Sequence, residues 1–237
     1  MRIRRVVTTR EGGRSRRPFD SFNLSTLVGD DPDAVAANRR RLAEELGLGD
    51  GGVVWMEQVH GRTVTVVDGP RDEPAEATDA LVTARQGLAV AALAADCVPV
   101  LLGDPVAGVV AAVHAGRVGA RIGVVPAAVA AMVEAGASVA DIEVLLGPAI
   151  CGRCYEVPPQ MQADVEAHLP GSACRTRAGT TGLDLRAGLW EQLAALGVAK
   201  IGVDPRCTAE DLSLFSHRRE GTTGRLAAIV WLAGDER

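Results

Sequence analysis

Apolar positions fall along this chain in short runs separated by Gly, Pro and Asp, the pattern of buried strands. Candidate strands are 53–57, 63–67, 79–83, 88–93, 99–103 and 109–114, joined by an alternating segment from Arg2 to Thr9, the run Val144-Leu145-Leu146, and a last strand from Leu226 to Leu232. Helical spacing is clearest after Asp31-Pro32. Asp31 suits an N-cap, Pro32 the first turn and Gly47 the C-terminal end, with Val35, Leu42 and Leu46 on one face. The Ala/Val-rich segment from Gly119 to Gly136 predicts a second helix, Pro158 to His168 a third, and Leu183 to Leu196, closed by Gly197, a fourth. Strands outnumber helices, and the order is neither a clean βαβ alternation nor strands followed by helices. That order predicts an α/β protein with mixed sheets sandwiched by helices. No repeat of 20–50 residues interrupts it.

Composition narrows this further. The 237 residues can bury a substantial core, but aromatics make up only 3 %, so Val, Ala and Leu must fill it. A formal net charge of −5 argues against general nucleic-acid binding. Arg14, Arg16 and Arg17 form a local basic cluster, and Arg39-Arg40-Arg41 is expected on the solvated face of the first helix. Met1 to Arg10 lacks a secretory h-region, and the apolar stretch 87–102 is interrupted by Asp96 and Pro99, so no membrane span is expected. The expectation is a cytoplasmic protein with reduced thiols. Its five cysteines then form no disulfide framework. Cys151-Gly-Arg-Cys154 reads as incidental packing, with a redox pair or half a structural zinc site as the alternatives. A four-cysteine site would have to borrow Cys174 and Cys207, both distant in sequence.

Three segments carry chemistry at strand ends. Ala95-Asp96-Cys97 is followed 17 positions later by His114-Ala115-Gly116, and Glu57-Gln58-Val59-His60-Gly61 lies upstream. Cysteine with two histidines is a three-ligand set of the kind that holds a catalytic zinc with one open position. Such a metal makes hydroxide available near neutrality, as base deamination requires. Asp96 and Glu57 adjoin these residues and are candidate general acids or bases, although strand alternation turns immediate neighbours to opposite faces. The same residues also fit a nucleophilic Cys97 activated by His114, or a hydrogen-bonded histidine beside a buried thiol. His168 sits near a helix C-terminus, where an imidazolium is favourable. Arg218-Arg219 with the Gly-rich stretch Gly221 to Arg225 suits either an anion site or a solvated turn.

Taken in order, the motifs resemble one family. They are Thr8-Thr9-Arg10, Phe22-Asn23-Leu24, Val28-Gly29-Asp30-Asp31-Pro32 with Asn38-Arg39, Gln58-Val59-His60-Gly61, Thr78-Asp79-Ala80, Ala95-Asp96-Cys97-Val98-Pro99, His114-Ala115-Gly116, Gly147-Pro148-Ala149-Ile150, Cys154-Tyr155-Glu156-Val157, Cys207-Thr208 and Phe215-Ser216-His217-Arg218-Arg219. This series resembles the YfiH/YlmD proteins, a family variously described as laccase-like multicopper polyphenol oxidases, peptidoglycan editing factors and purine nucleoside phosphorylases. The resemblance implies a single catalytic domain over 1–237 with a four-layer α/β/β/α sandwich of mixed β-sheets. It implies a metal site at His60, Cys97 and His114, with zinc preferred to copper because coupled copper centres need more imidazoles than four histidines supply. It further implies phosphorolysis of adenosine, inosine, guanosine and methylthioadenosine, and deamination of adenosine. Arg218 and Arg219 then become candidates for phosphate, and Asn23 and Gln58 for ribose or base. The partners implied are purine nucleosides and phosphate, for a monomer or small homo-oligomer. The chain departs from the family's H-A-G-W-R-G in carrying Arg117 and Val118, has His217 where a tyrosine is usual, and has Leu27 where a histidine is common. A cysteine hydrolase or amidase acting on cell-wall peptides, and a metal-retaining binding module, are the competing expectations.

Overall fold

In a computed structural model, which describes residues 1–49 and 51–234, strand β1 (Arg2–Val7) precedes helix α1 (Pro32–Glu45). The Asp31 carboxylate accepts the backbone N–H of Asp33, and Pro32 occupies the first turn. Gly47 follows the helix at a φ of 68°, a left-handed value that glycine adopts without a Cβ penalty. Then come β2 (Val53–Val54), β3 (Val64–Val66), β4 (Ala80–Thr83), β5 (Ala89–Ala94), β6 (Val98–Asp104) and β7 (Val109–Ala115). These coincide with the apolar runs except that β2 is shorter than expected, because the chain peels away after Val54 and Met56 keeps only an isolated bridge to Ala75.

The helix expected over 119–136 is two helices, α2 (Arg117–Arg121) and α3 (Val124–Glu134), divided at Gly123 with φ 86°. The chain continues through β8 (Glu143–Leu146), α4 (Pro159–His168), a hairpin of β9 (Ala173–Arg175) and β10 (Thr181–Leu183), α5 (Leu185–Ala195), β11 (Lys200–Val203), α6 (His217–Glu220) and β12 (Leu226–Ala233). Strands β9 to β11 have no counterpart in the apolar pattern. Much of β9 and β11 is exposed, so neither carries a buried run.

Two sheets form the body of the molecule, one in the order β1-β12-β5-β2 and the other β11-β8-β6-β7-β4-β3. Side-chain alternation explains why their strands are apolar throughout. In β5 and β12, Ala89, Ala91, Ala227, Ile229 and Trp231 pack with Leu42 of α1, whereas Val90, Ala92, Ala228, Val230 and Leu232 pack with Leu81, Leu101, Val110 and Ala112 of the other sheet. The opposite face of the larger sheet, including Val98, Val100, Leu102, Val109, Ala111 and Val113, packs against α3, α4 and α5. The layers are therefore helix, sheet, sheet, helix, as the resemblance implies. Arg39 corrects one expectation. Its guanidinium lies 4.2 Å from the Trp55 ring centroid and donates to the Leu24 carbonyl, and burial lowers it to about 10, so only Arg40 and Arg41 face solvent.

The topology also gathers one end of the sandwich. Four connections pass between the two sheets, and three of them, β2 to β3, β5 to β6 and β11 to β12, lie at this end. The paired registers Val98↔Ala115, Ala80↔Val113 and Leu226↔Ala94 place the ends of these connections together. His60 lies on the first connection, Cys97 on the second and Arg218 on the third, while His114 closes β7 beside them.

Candidate metal centre

His60, Cys97 and His114 bring their ligand atoms within 4.8 Å of one another. Alternation in β7 turns His114 to the same side as Val110 and Ala112, toward the layer between the sheets, and leaves it buried. Cys97 Sγ lies 3.7 Å from His60 Nε2, and the two imidazoles meet edge to face with centroids 4.7 Å apart. The backbone is held in uncommon conformations to achieve this, since both His60 (φ 59°) and Asp96 (φ 96°) are left-handed without being glycine. Gly116 supplies the space. A Cβ there would sit 2.5 Å from His60 Cδ2 and 3.1 Å from Cys97 Sγ.

Asp79, at the head of β4, organises the centre. Its buried carboxylate accepts the backbone N–H groups of Val59, His60 and Gly61 and lies 2.8 Å from His114 Nδ1. Nδ1 therefore donates to Asp79, and Nε2 is left as the ligand atom. Nothing in the motif spacing singles Asp79 out. The available signal was a carboxylate opening an otherwise apolar strand, since a buried charge must be paired.

The electrostatics ready the sulfur for a metal, which must in turn displace the Nε2 proton of His114. Burial pushes the Cys97 thiol up, but the charge of His114 and hydrogen bonds from His114 and His60 outweigh it and bring the thiol down to about 6. Burial likewise disfavours the His114 cation, yet the Cys97 thiolate and Asp79 raise it to about 9. A thiolate is thus formed near neutrality, the state in which sulfur binds a metal. Two imidazoles and one thiolate, with a carboxylate fixing one tautomer, fit a single divalent ion with an open position. They do not fit a coupled copper cluster. His168 Nδ1 turns back to the Asp164 carbonyl on α4, and only two imidazoles join this ligand set.

Two cavities meet at Cys97. One, of about 350 Å³, is floored by His60, Cys97 and His114 and walled by apolar groups including Val28, Met56 and Leu93. The second, of about 190 Å³, lies between Cys97, Arg117, Tyr155, His217 and Arg218. Arg218 reaches it from α6, its guanidinium 5.0 Å from the Tyr155 ring centroid and bonded to the Glu156 carbonyl. Arg117 therefore stands beside Arg218, whereas Arg121 is occupied by a bidentate pair with Asp164. His217 borders both cavities with Nδ1 2.6 Å from the Gly221 carbonyl.

Other residues singled out by sequence have different tasks. Arg219 spends its guanidinium on the carbonyls of Thr208, Asp211 and Leu214, which fixes the loop before α6 and keeps it out of both cavities. Asn23 is fully buried, its amide donating to the Ser25 carbonyl and Asp30 and accepting from the N–H groups of Ser25 and Arg225. No capacity remains for a substrate. Gln58 borders the larger cavity, but its amide completes a two-way bond with the Leu93 backbone. Asp96 accepts from Thr208, Ser216 and the Arg218 N–H, so this candidate acid-base group is a loop anchor. Glu57 receives the Ala77 N–H and borders neither cavity.

Comparison with known proteins places this geometry in context. Residues 4–233 match the family model described as multi-copper polyphenol oxidoreductase laccase, and the chain belongs to that family. It is 61 % identical over 232 residues to a purine nucleoside phosphorylase of Corynebacterium glutamicum, covering 97 % of this chain and 94 % of that one. A purine nucleoside phosphorylase of Mycobacterium tuberculosis is 60 % identical over 232 residues, covering 98 % and 93 %. Among solved structures, Bacillus licheniformis YfiH superposes with a TM-score of 0.91 at 33 % identity, covering 97 % of this chain and 92 % of that one. Geobacillus stearothermophilus YlmD does so at 0.90 with 36 % identity, covering 98 % and 92 %.

Proposed function

We propose that this member of the family is a zinc-dependent purine nucleoside phosphorylase that also deaminates adenosine. The observation that carries the reading is the meeting of an apolar cavity and an arginine-lined cavity at one ligand set, His60, Cys97 and His114. The relatives named purine nucleoside phosphorylase, at 60 % identity and above, support the same reading.

In this reading the purine nucleoside occupies the cavity beside Val28, Met56 and Leu93, and phosphate lies between Arg117 and Arg218. Guanidinium forks neutralise and orient the phosphate, so that one oxygen attacks C1′ of the ribose as the bond from C1′ to the purine nitrogen breaks. Arg117 and Arg218 take over the phosphate role for which Arg218 and Arg219 are the sequence candidates. His217, with Nδ1–H donated to the Gly221 carbonyl, presents Nε2 to the junction of the cavities, where it takes the proton of the attacking hydrogen phosphate and passes it to the departing base. Zinc bound at the centre would supply Lewis acidity and lower the pKa of a bound water, the chemistry that replaces the adenosine amino group by oxygen. Asp79 holds His114 in the liganding tautomer throughout.

Incubating adenosine with the zinc-loaded protein, with and without phosphate, tests the reading. Adenine and ribose 1-phosphate formed only with phosphate, together with inosine formed in either case, are the expected products. Absence of both products overturns it.

A second reading rests on one observation. Cys97, His114 and Asp79 also form a thiolate, imidazole and carboxylate series, as in a cysteine hydrolase or amidase. Turnover of a peptide amide by metal-stripped protein, abolished by zinc, would favour it, because a thiolate tied to metal is not a free nucleophile.

A further inference from the structure

A second cluster lies apart from the His60, Cys97 and His114 centre. Cys151, Cys154, Cys207 and Glu210 bring one ligand atom each within 4.8 Å of one another. The folded chain thereby brings Cys207 and Glu210 to the pair Cys151 and Cys154, which the sequence alone reads as incidental packing. Fifty-two residues separate the pair Cys151/Cys154 from Cys207/Glu210, yet an isolated parallel bridge between Ala149 and Cys207 joins the segments that carry them.

The two halves of the cluster have the same build. Each is a sulfur, two intervening residues and a second donor. In the first, Cys154 and Tyr155 donate their N–H groups to the Cys151 carbonyl at 2.9 and 3.0 Å. In the second, Glu210 and Asp211 donate theirs to the Cys207 carbonyl at 3.0 and 2.8 Å. Each half is thus one tight turn that aims its two donors to the same side. The Cys151 N–H also points at Cys207 Sγ, 3.3 Å away, and Cys154 Sγ lies 3.4 Å from Glu210 Oε1. A backbone N–H aimed at sulfur is a contact that stabilises a thiolate.

Cys207 is buried and Cys151 and Cys154 are half-buried, whereas Glu210 is exposed and also pairs with Arg177. Cys174 stands outside the group, with its thiol on the Gly152 carbonyl. Three sulfurs and one carboxylate at these separations, with two residues between the donors of each pair, make a closed four-donor set. Soft thiolate donors in such a set select zinc-class ions over magnesium or calcium.

We infer that Cys151, Cys154, Cys207 and Glu210 form a second, structural site for a zinc-class divalent cation, separate from the His60, Cys97 and His114 centre. The site would staple the loop after β8 to the loop after β11. The second loop continues to Thr208, which donates to Asp96, and to α6, which carries Arg218. Its task would be to hold that wall of the arginine-lined cavity. This inference does not depend on the reaction proposed above.

The test is metal content of the Cys97→Ala protein, prepared with reductant and incubated with zinc before removal of excess ion. About one zinc per chain remaining, lost in Cys97→Ala/Cys154→Ser, is expected of a closed site with thiolate ligands. No retained zinc in Cys97→Ala overturns the inference. Cobalt titration of wild-type protein gives a second readout that needs no variant. The near-ultraviolet sulfur-to-cobalt absorption should correspond to about four thiolates over two ions, three of them at this site. Intensity of a single thiolate overturns the inference, as does a Cys151 disulfide to Cys154 or Cys207 in protein kept under reductant.

Discussion

His114 Nδ1 lies 2.8 Å from Asp79 Oδ1, and the same carboxylate gathers the N–H groups of Val59, His60 and Gly61. One buried side chain therefore orients one imidazole ligand and anchors the loop that delivers the other. Asp79→Asn keeps the size but removes the charge and half the acceptor capacity. Zinc affinity, measured by competition with a chromogenic chelator, is expected to fall about 10- to 100-fold, the usual cost of losing an outer-shell partner. Unchanged affinity would mean that Asp79 does not position the ligands.

Cys97 is held near 6 by His114 and His60 against the upward push of burial. In metal-stripped protein its alkylation by iodoacetamide should therefore rise through a midpoint near 6 and level off above it. Removing the cation in His114→Ala should move that midpoint up, toward the ordinary thiol value of about 8.5. The sign follows from the charge, because the imidazolium favours the thiolate and its loss favours the thiol. A wild-type midpoint already at the ordinary value would refute the ion-pair description.

Arg218 contributes to the site through its side chain and to the fold through its backbone, whose N–H bonds Asp96. Arg218→Met spares the second role. A lost charge-assisted hydrogen bond is worth about 1.5–3 kcal/mol, so the KM for phosphate should rise about tenfold or more. Inosine formation from adenosine, which uses no phosphate, should change little. Equal losses in both reactions would place Arg218 outside the phosphate site.

Asn23 gives the opposite signature. Asn23→Ala leaves the N–H groups of Ser25 and Arg225 without the acceptor they share. Stability should fall by about 2–3 kcal/mol, read as a lower midpoint in urea, while the KM for nucleoside is unchanged. A raised KM with normal stability would restore Asn23 to the substrate site.

Legibility in the sequence followed burial. Strands β5, β6 and β7 were visible because both of their faces are covered, which leaves Asp104 and His114, near strand ends, as their only polar side chains. Helix α1 was visible through Asp31, Pro32 and Gly47, all local signals. Strands β9 and β11 were not, since they are held by neighbours and carry too few apolar groups of their own. His60, Cys97 and His114 stood out as reactive residues at the ends of apolar runs. Asp79 did not, because its task depends on the register that pairs Ala80 with Val113. Arg219 and Asn23 look like binding residues in a motif, but bonds to distant backbone groups consume their polar atoms. Cys207 was legible only as a distant donor that a four-cysteine site would have to borrow with Cys174, and it is the bridge to Ala149 that brings Cys207 to Cys151.

The central claim is that purine nucleoside turnover depends on a metal held by His60, Cys97 and His114. The most direct measurement is phosphate-dependent base release from inosine while metal-stripped protein is titrated with zinc, in wild type and in Cys97→Ala. Activity that is absent in the stripped wild type, returns with added zinc and never returns in Cys97→Ala is the predicted result. Base release by protein shown to be metal-free, or by Cys97→Ala at the wild-type rate, would contradict the claim.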